Sequence, residues 1–100
     1  MKQYTGVAPF KTLIRLMYPK LVPLVESCSK AHDEAYKAVD WRLGKSATAK
    51  IDWDWRWCAK WNIEAAGGDP ELLVQADFFY EVARKWGIMR AYLWKIGVRY

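Results

Sequence analysis

Histidine occurs once in this chain of 100 residues, at His32, and cysteine twice, at Cys28 and Cys58. A single imidazole excludes multi-histidine zinc sites, HD-type metal phosphohydrolases and H-E-x-x-H proteases, each of which needs at least two. Long apolar runs are lacking as well: no stretch reaches the ~18 consecutive apolar residues of a membrane span. Near the N-terminus Lys11, Arg15 and Lys20 break up what could otherwise serve as a signal-peptide core, so the expectation is no secretory leader. Two cysteines suit a reducing compartment, although one pair could close in an oxidising setting. No internal repeat or low-complexity linker divides the chain, and its length fits one domain over residues 1–100.

What is present is apolar and aromatic. Hydrophobic residues make up 53% of the chain and aromatic residues 16%, with seven tryptophans, which is ample apolar surface to offset the ordering entropy of a folded domain. The net charge of +5 is unevenly placed. Residues 1–20 carry Lys2, Lys11, Arg15 and Lys20 without an acid, and residues 84–100 carry Arg84, Lys85, Arg90, Lys95 and Arg99 without an acid. Two basic aromatic ends therefore flank an acidic centre. Such ends suit phospholipid headgroups or nucleic acid phosphates, and equally an ordinary solubilising surface.

The pattern along the chain is helical. Residues 1–9, with Gly6 and Pro9, read as a loop. Phe10, Leu13, Ile14 and Met17 give a short amphipathic helix stopped near Pro19. Pro23 suits the first turn of a longer helix, whose apolar positions Val25, Cys28, His32, Ala35, Val39 and Leu43 run to Gly44, with Ser46 as cap of the next. The stretch Ile51–Trp57 alternates as a strand would, but the helix formers on both sides and the Gly67-Gly68 stop favour a helix over 47–66. Asp69-Pro70 caps another, running to Trp86, where Gly87 separates it from a final basic segment, 88–100. The fold class expected is all-α.

One segment carries most of the chemical information: Cys28-Ser29-Lys30-Ala31-His32-Asp33-Glu34-Ala35-Tyr36. On a helix Cys28, His32 and Tyr36 share one face, and Asp33 is turned about 100° to the side. By spacing alone a lone histidine on an apolar stripe is a satisfied core residue, the cysteines are small buried hydrophobes, Tyr36 an aromatic filler and Asp33 a solvated carboxylate. The wording C-x-x-x-H-D-x-x-Y, however, resembles the active-site helix of the phospholipase A2 family. The run His32-Asp33-Glu34-Ala35-Tyr36 is especially similar to the small parvoviral capsid and phage-encoded members. In that family an aspartate about twenty residues on pairs with the histidine, and secreted members bond the cysteine four before the histidine to one six after that aspartate. Here Asp52, Cys28 and Cys58 stand at those separations, which selects Asp52 over Asp54.

The resemblance implies a small helical domain with two long antiparallel central helices and a C-terminal helical extension, in which Cys28 and Cys58 approach each other. It implies that His32 is the general base for a water molecule, that Asp52 holds its second nitrogen, and that Tyr36 orients Asp52. It further implies that Asp33 is a side-chain ligand of Ca²⁺, with backbone carbonyls from Tyr4, Gly6 and Ala8 completing the set. That loop, Tyr4-Thr5-Gly6-Val7-Ala8, has alanine at the last glycine of the family's Y-x-G-x-G pattern and lies some 28 residues before His32 rather than about twenty. The match is good over residues 28–58, loose over 4–8, and absent from 70–100.

The function so implied is calcium-dependent hydrolysis of the sn-2 ester of phospholipids at an anionic membrane surface met peripherally, in a host cytoplasm or on a virion. Two other classes stay open: a non-catalytic viral or phage structural module on the same scaffold, and a basic aromatic nucleic-acid-binding module, ranked last. The row Trp53, Trp57 and Trp61 reads first as a core stripe and second as a lipid contact. The ending Trp86, Arg90, Tyr92, Trp94, Lys95, Arg99 and Tyr100 reads first as packing with a solvated basic face.

Overall fold

Capping and stop residues set the helix boundaries. The computed structural model describes residues 10–98, which form α1 (Phe10–Met17), α2 (Leu21–Lys37), a 3-10 turn (Trp41–Ser46), α3 (Ala49–Ala65) and α4 (Pro70–Lys95). The all-α expectation holds: among the described residues there is no strand. Asp69 accepts a hydrogen bond from the Glu71 amide at the start of α4, with Pro70 in the first turn, where its missing N–H costs nothing. Gly67 and Gly68 follow α3 with φ of 119° and 69°, backbone that L side chains resist.

Helices α2 and α3 lie antiparallel, as a ladder of contacts shows. The Asn62 side-chain amide donates to the Leu24 carbonyl, the Trp55 indole to Ser29 Oγ, and His32 meets Asp52, so α3 numbers fall as α2 numbers rise. Cys28 and Cys58 form a disulfide across this pair, with Cα atoms 5.7 Å apart. Leu21, Val25 and Cys28 from α2, Trp55, Ala59 and Ile63 from α3, and Leu72 and Ala76 from α4 make one buried core. Burial of these side chains supplies the main stabilisation, on the order of 1.5–3 kcal/mol for each large aliphatic or aromatic group.

Several boundaries differ from those read in the sequence. Helix α2 ends at Lys37, not at Gly44, so Val39 and Leu43 leave its apolar face. The chain passes instead through the 3-10 turn, capped by Asp40, and Gly44 turns it at φ 67°. Ser46 does not cap α3: its hydroxyl donates to the Leu43 carbonyl, and the helix starts after Thr48. Gly87 does not break α4, which runs on to Lys95. The reason is steric. A Cβ at Gly87 would overlap Thr48 Oγ1 and stand 2.9 Å from the Tyr36 hydroxyl, so the missing side chain admits a close helix crossing.

The tryptophan row on α3 is the other correction. Trp53, Trp57 and Trp61 are 43%, 61% and 76% exposed, so they form the outer face of α3 and not its core stripe. Trp55, Ala59 and Ile63 fill the core from the opposite side. Trp53 packs edge-on to Tyr80 and under the Arg56 guanidinium, which is ion-paired to Asp77.

Candidate functional site

The first turn of α3 places Asp52 at the positive end of the helix dipole, facing the last two turns of α2. Its side chain has no solvent exposure, and three side chains converge on it. His32 Nε2 lies 2.7 Å from Oδ1, and the Tyr36 hydroxyl donates to the same oxygen at 2.8 Å. Arg84 of α4 donates to Oδ2 at 2.9 Å. Burial works to raise the pKa of this carboxyl, but the hydrogen bonds from His32, Tyr36 and Arg84 outweigh it and hold the group below the usual carboxylate range.

An ionised Asp52 fixes the imidazole tautomer. Nε2 carries the proton and donates it toward Oδ1, which leaves Nδ1 with a lone pair. Tyr36 reinforces this arrangement. Burial, with the Asp52 carboxylate adding to it, pushes its phenol well above the ordinary range, so it remains a neutral donor. Its ring stacks at a tilt on His32, centroids 4.4 Å apart, and meets the edge of Trp41.

His32 opens on a groove of about 370 Å³. Cys28, Ala31 and Ala35 line it from α2, and Ile51, Trp55 and Cys58 from α3, with Asp54 at its margin. Asp54 is ion-paired to Lys50 on the exposed side of α3 and takes no part in the His32 contact. Of the residues singled out in the sequence, His32, Asp52 and Tyr36 thus meet in one cluster, with Cys28 and Cys58 bonded beside them.

Asp33 points elsewhere. Its carboxylate is half exposed and stands 3.6 Å from Lys37 one turn along α2. Among the described residues no group of three or more His, Cys, Asp or Glu is placed to hold a metal. Asp33 can supply one hard oxygen ligand. Tyr4, Gly6 and Ala8, the expected carbonyl donors, lie outside the described residues, so the described part does not by itself assemble a calcium site.

Arg84 is the member of the cluster that the sequence did not reveal. Besides Asp52 it reaches Thr48 Oγ1 at 3.2 Å and the Lys45 carbonyl at 3.2 Å, tying α4 to the turn before α3. It therefore belongs to the interior electrostatics and not to a free basic tail. One signal could have found it: Ala76, Ala83, Gly87 and Ala91 form a small-residue stripe along α4, and Arg84 borders it. Such a stripe marks where a helix approaches another closely.

Comparisons of the chain with protein-family models, with curated proteins and with solved structures give no match. The class defined by fold and site together is an all-α domain with a disulfide-framed His-Asp pair. No helix among the described residues is long and apolar enough to cross a membrane.

Proposed function

We propose that the chain hydrolyses the sn-2 ester of phospholipids in the manner of the phospholipase A2 family. The observation that carries this reading is the contact of His32 Nε2 with the buried Asp52 carboxylate, braced by Tyr36 on the same oxygen. It leaves the His32 Nδ1 lone pair as a base for water, with Asp52 compensating the positive charge that develops on the ring. Water gives a proton to Nδ1 as its oxygen attacks the ester carbonyl. The same proton then passes to the glycerol oxygen as the carbon–oxygen bond breaks, yielding a fatty acid and a lysophospholipid. The apolar walls of the groove, from Ala31 and Ala35 to Ile51 and Trp55, suit an acyl chain better than a polar substrate.

In this reading Ca²⁺ would be held by the Asp33 carboxylate and by the Tyr4, Gly6 and Ala8 carbonyls. When bound, such an ion polarises an ester carbonyl and neutralises a lipid phosphate. Release of fatty acid from anionic phospholipid vesicles, with and without Ca²⁺, tests the proposal. Wild type is expected to be active only with the ion and His32→Ala to be inactive; an active His32→Ala variant overturns it.

Alanine at Ala8, where the family's loop has its last glycine, favours a second reading, a binding module without turnover on the same scaffold. Calorimetry separates the two. Heat of Ca²⁺ binding that disappears in Asp33→Asn supports the hydrolase, whereas a folded chain with no heat at millimolar ion supports the module.

A further inference from the structure

Arg84 belongs to α4, whereas the groove beside His32 is walled by residues of α2 and α3. Any effect it has on a substrate therefore passes through Asp52. That carboxylate divides its donors between its two oxygens. His32 at 2.7 Å and Tyr36 at 2.8 Å share Oδ1, and Arg84 at 2.9 Å holds Oδ2. Tyr36 is a neutral donor, so the permanent positive charge at the carboxylate is that of Arg84.

The guanidinium is held in place by more than this one contact. It also donates to Thr48 Oγ1 and to the Lys45 carbonyl, each at 3.2 Å, and these acceptors in the turn before α3 fix its orientation. Gly87, three residues further along α4, has no side chain where Thr48 Oγ1 and the Tyr36 hydroxyl come close, and this brings α4 near enough for Arg84 to reach Asp52. Arg84 is thus preorganised by the fold, as a group that supports a reacting pair must be.

The state of Asp52 decides where the imidazole proton sits. An ionised carboxylate only accepts, so Nε2 must carry the proton and Nδ1 keeps its lone pair. A protonated carboxyl instead donates to Nε2, which moves the imidazole proton to Nδ1 and leaves no lone pair for water. Without Arg84, Oδ2 would be an unpartnered oxygen of a charged group that has no solvent exposure. A carboxylate so placed takes up a proton.

We infer that Arg84 is a positioning residue of the His32–Asp52 pair: by holding Asp52 Oδ2 it keeps the carboxylate an acceptor, and so keeps the imidazole proton on Nε2 and the lone pair on Nδ1. As a statement about catalysis this rests on the proposed hydrolysis; as a statement about the tautomer it does not. The two other contacts of Arg84 give it a structural role as well, and the test separates them.

His32 is the only histidine, so nitrogen-15 NMR of the imidazole ring reads its tautomer directly, at a mildly alkaline pH where the ring is neutral. Wild type is expected to show the Nε2–H form alone. Arg84→Gln, which brings no charge, should show the Nδ1–H form. On anionic vesicles with Ca²⁺ it should also lose about tenfold or more in kcat with little change in KM, since a wrong tautomer disables a histidine base. Arg84→Lys keeps a positive donor for Asp52 but not the planar fork that also reaches Thr48 and Lys45. It should restore the Nε2–H form and most of kcat. An Arg84→Gln chain with the wild-type tautomer overturns the inference, and so does an Arg84→Lys chain that matches Arg84→Gln, which would reduce Arg84 to a tie between α4 and the turn. If Arg84→Gln does not fold, Gly87→Ala decides, because it keeps Arg84 but sets α4 back from Thr48 and Tyr36. The Nδ1–H form must then appear in it, and a pure Nε2–H spectrum overturns the inference. A wild type inactive on vesicles strikes the hydrolysis reading alone, and the tautomer comparison still supports or overturns the role of Arg84.

Discussion

Asp52 combines complete burial with three side-chain donors, and two consequences can be measured. Its carboxyl has a lower pKa folded than unfolded, because the donors outweigh the effect of burial. The unfolded chain therefore binds a proton first as pH falls. The stability this group contributes is fully present above its ordinary value of 3.8 and is lost as pH drops through the folded value. Thermal melts between pH 5 and pH 2 should show a steeper loss for wild type than for Asp52→Asn, which no longer titrates there; equal slopes would refute the assignment. Tyr36→Phe removes one donor to that charge while keeping the ring against Trp41. A loss of roughly 1.5–3 kcal/mol is expected by urea denaturation, as for a hydrogen bond to a charged group.

At the scale of the helix, Gly87 is where intrinsic preference and packing disagree. Alanine is favoured over glycine inside a helix by about 1 kcal/mol. Yet the added methyl would meet Thr48 Oγ1 and the Tyr36 hydroxyl, so α4 or both partners must move. Gly87→Ala should therefore destabilise the fold by roughly 1–3 kcal/mol in thermal melts, the usual cost of overpacking, and should weaken the Arg84–Asp52 contact. A gain in stability would show that the crossing is looser than described. Helix α3 offers the complementary case. Trp57→Ser and Trp61→Ser, on its exposed face, should each change stability by less than about 0.5 kcal/mol, whereas Trp55→Ala should cost roughly 3–5 kcal/mol.

These two helices also show what the sequence could and could not tell. Helical period put His32 and Tyr36 on one face of α2, but only the resemblance, with its separation of about twenty residues, singled out Asp52 as their partner on α3. Arg84 was not legible, since it comes from a third helix, 32 residues beyond Asp52, and nothing local to either residue encodes their meeting. Gly87 reads as a break because glycine is a poor helix former; only the position of Thr48 and Tyr36 shows why it is tolerated. The tryptophans mislead for a related reason. Trp53 and Trp57 share one face of α3 and Trp55 lies on the opposite one, and periodicity alone does not say which faces inward.

Across the whole molecule, the one covalent tie between distant parts of the chain is the Cys28–Cys58 disulfide, which spans 30 residues and joins the two helices that carry His32 and Asp52. It shortens the unfolded chain's reach: closing a loop of that size removes entropy worth roughly 3–4 kcal/mol from the unfolded state. In a domain this small, each kcal/mol moves the melting temperature by roughly 4–8 °C. The double variant Cys28→Ala with Cys58→Ala should therefore melt roughly 12–32 °C below wild type. It should still fold, because Asn62–Leu24, Trp55–Ser29 and the Asp52 cluster also hold α2 to α3. Wild type in reducing agent should melt close to the double variant, and the agent should leave the variant itself unchanged. A wild type whose melt ignores the reducing agent would mean that the bond contributes nothing to stability, and that the core and the buried carboxylate hold the helix pair by themselves.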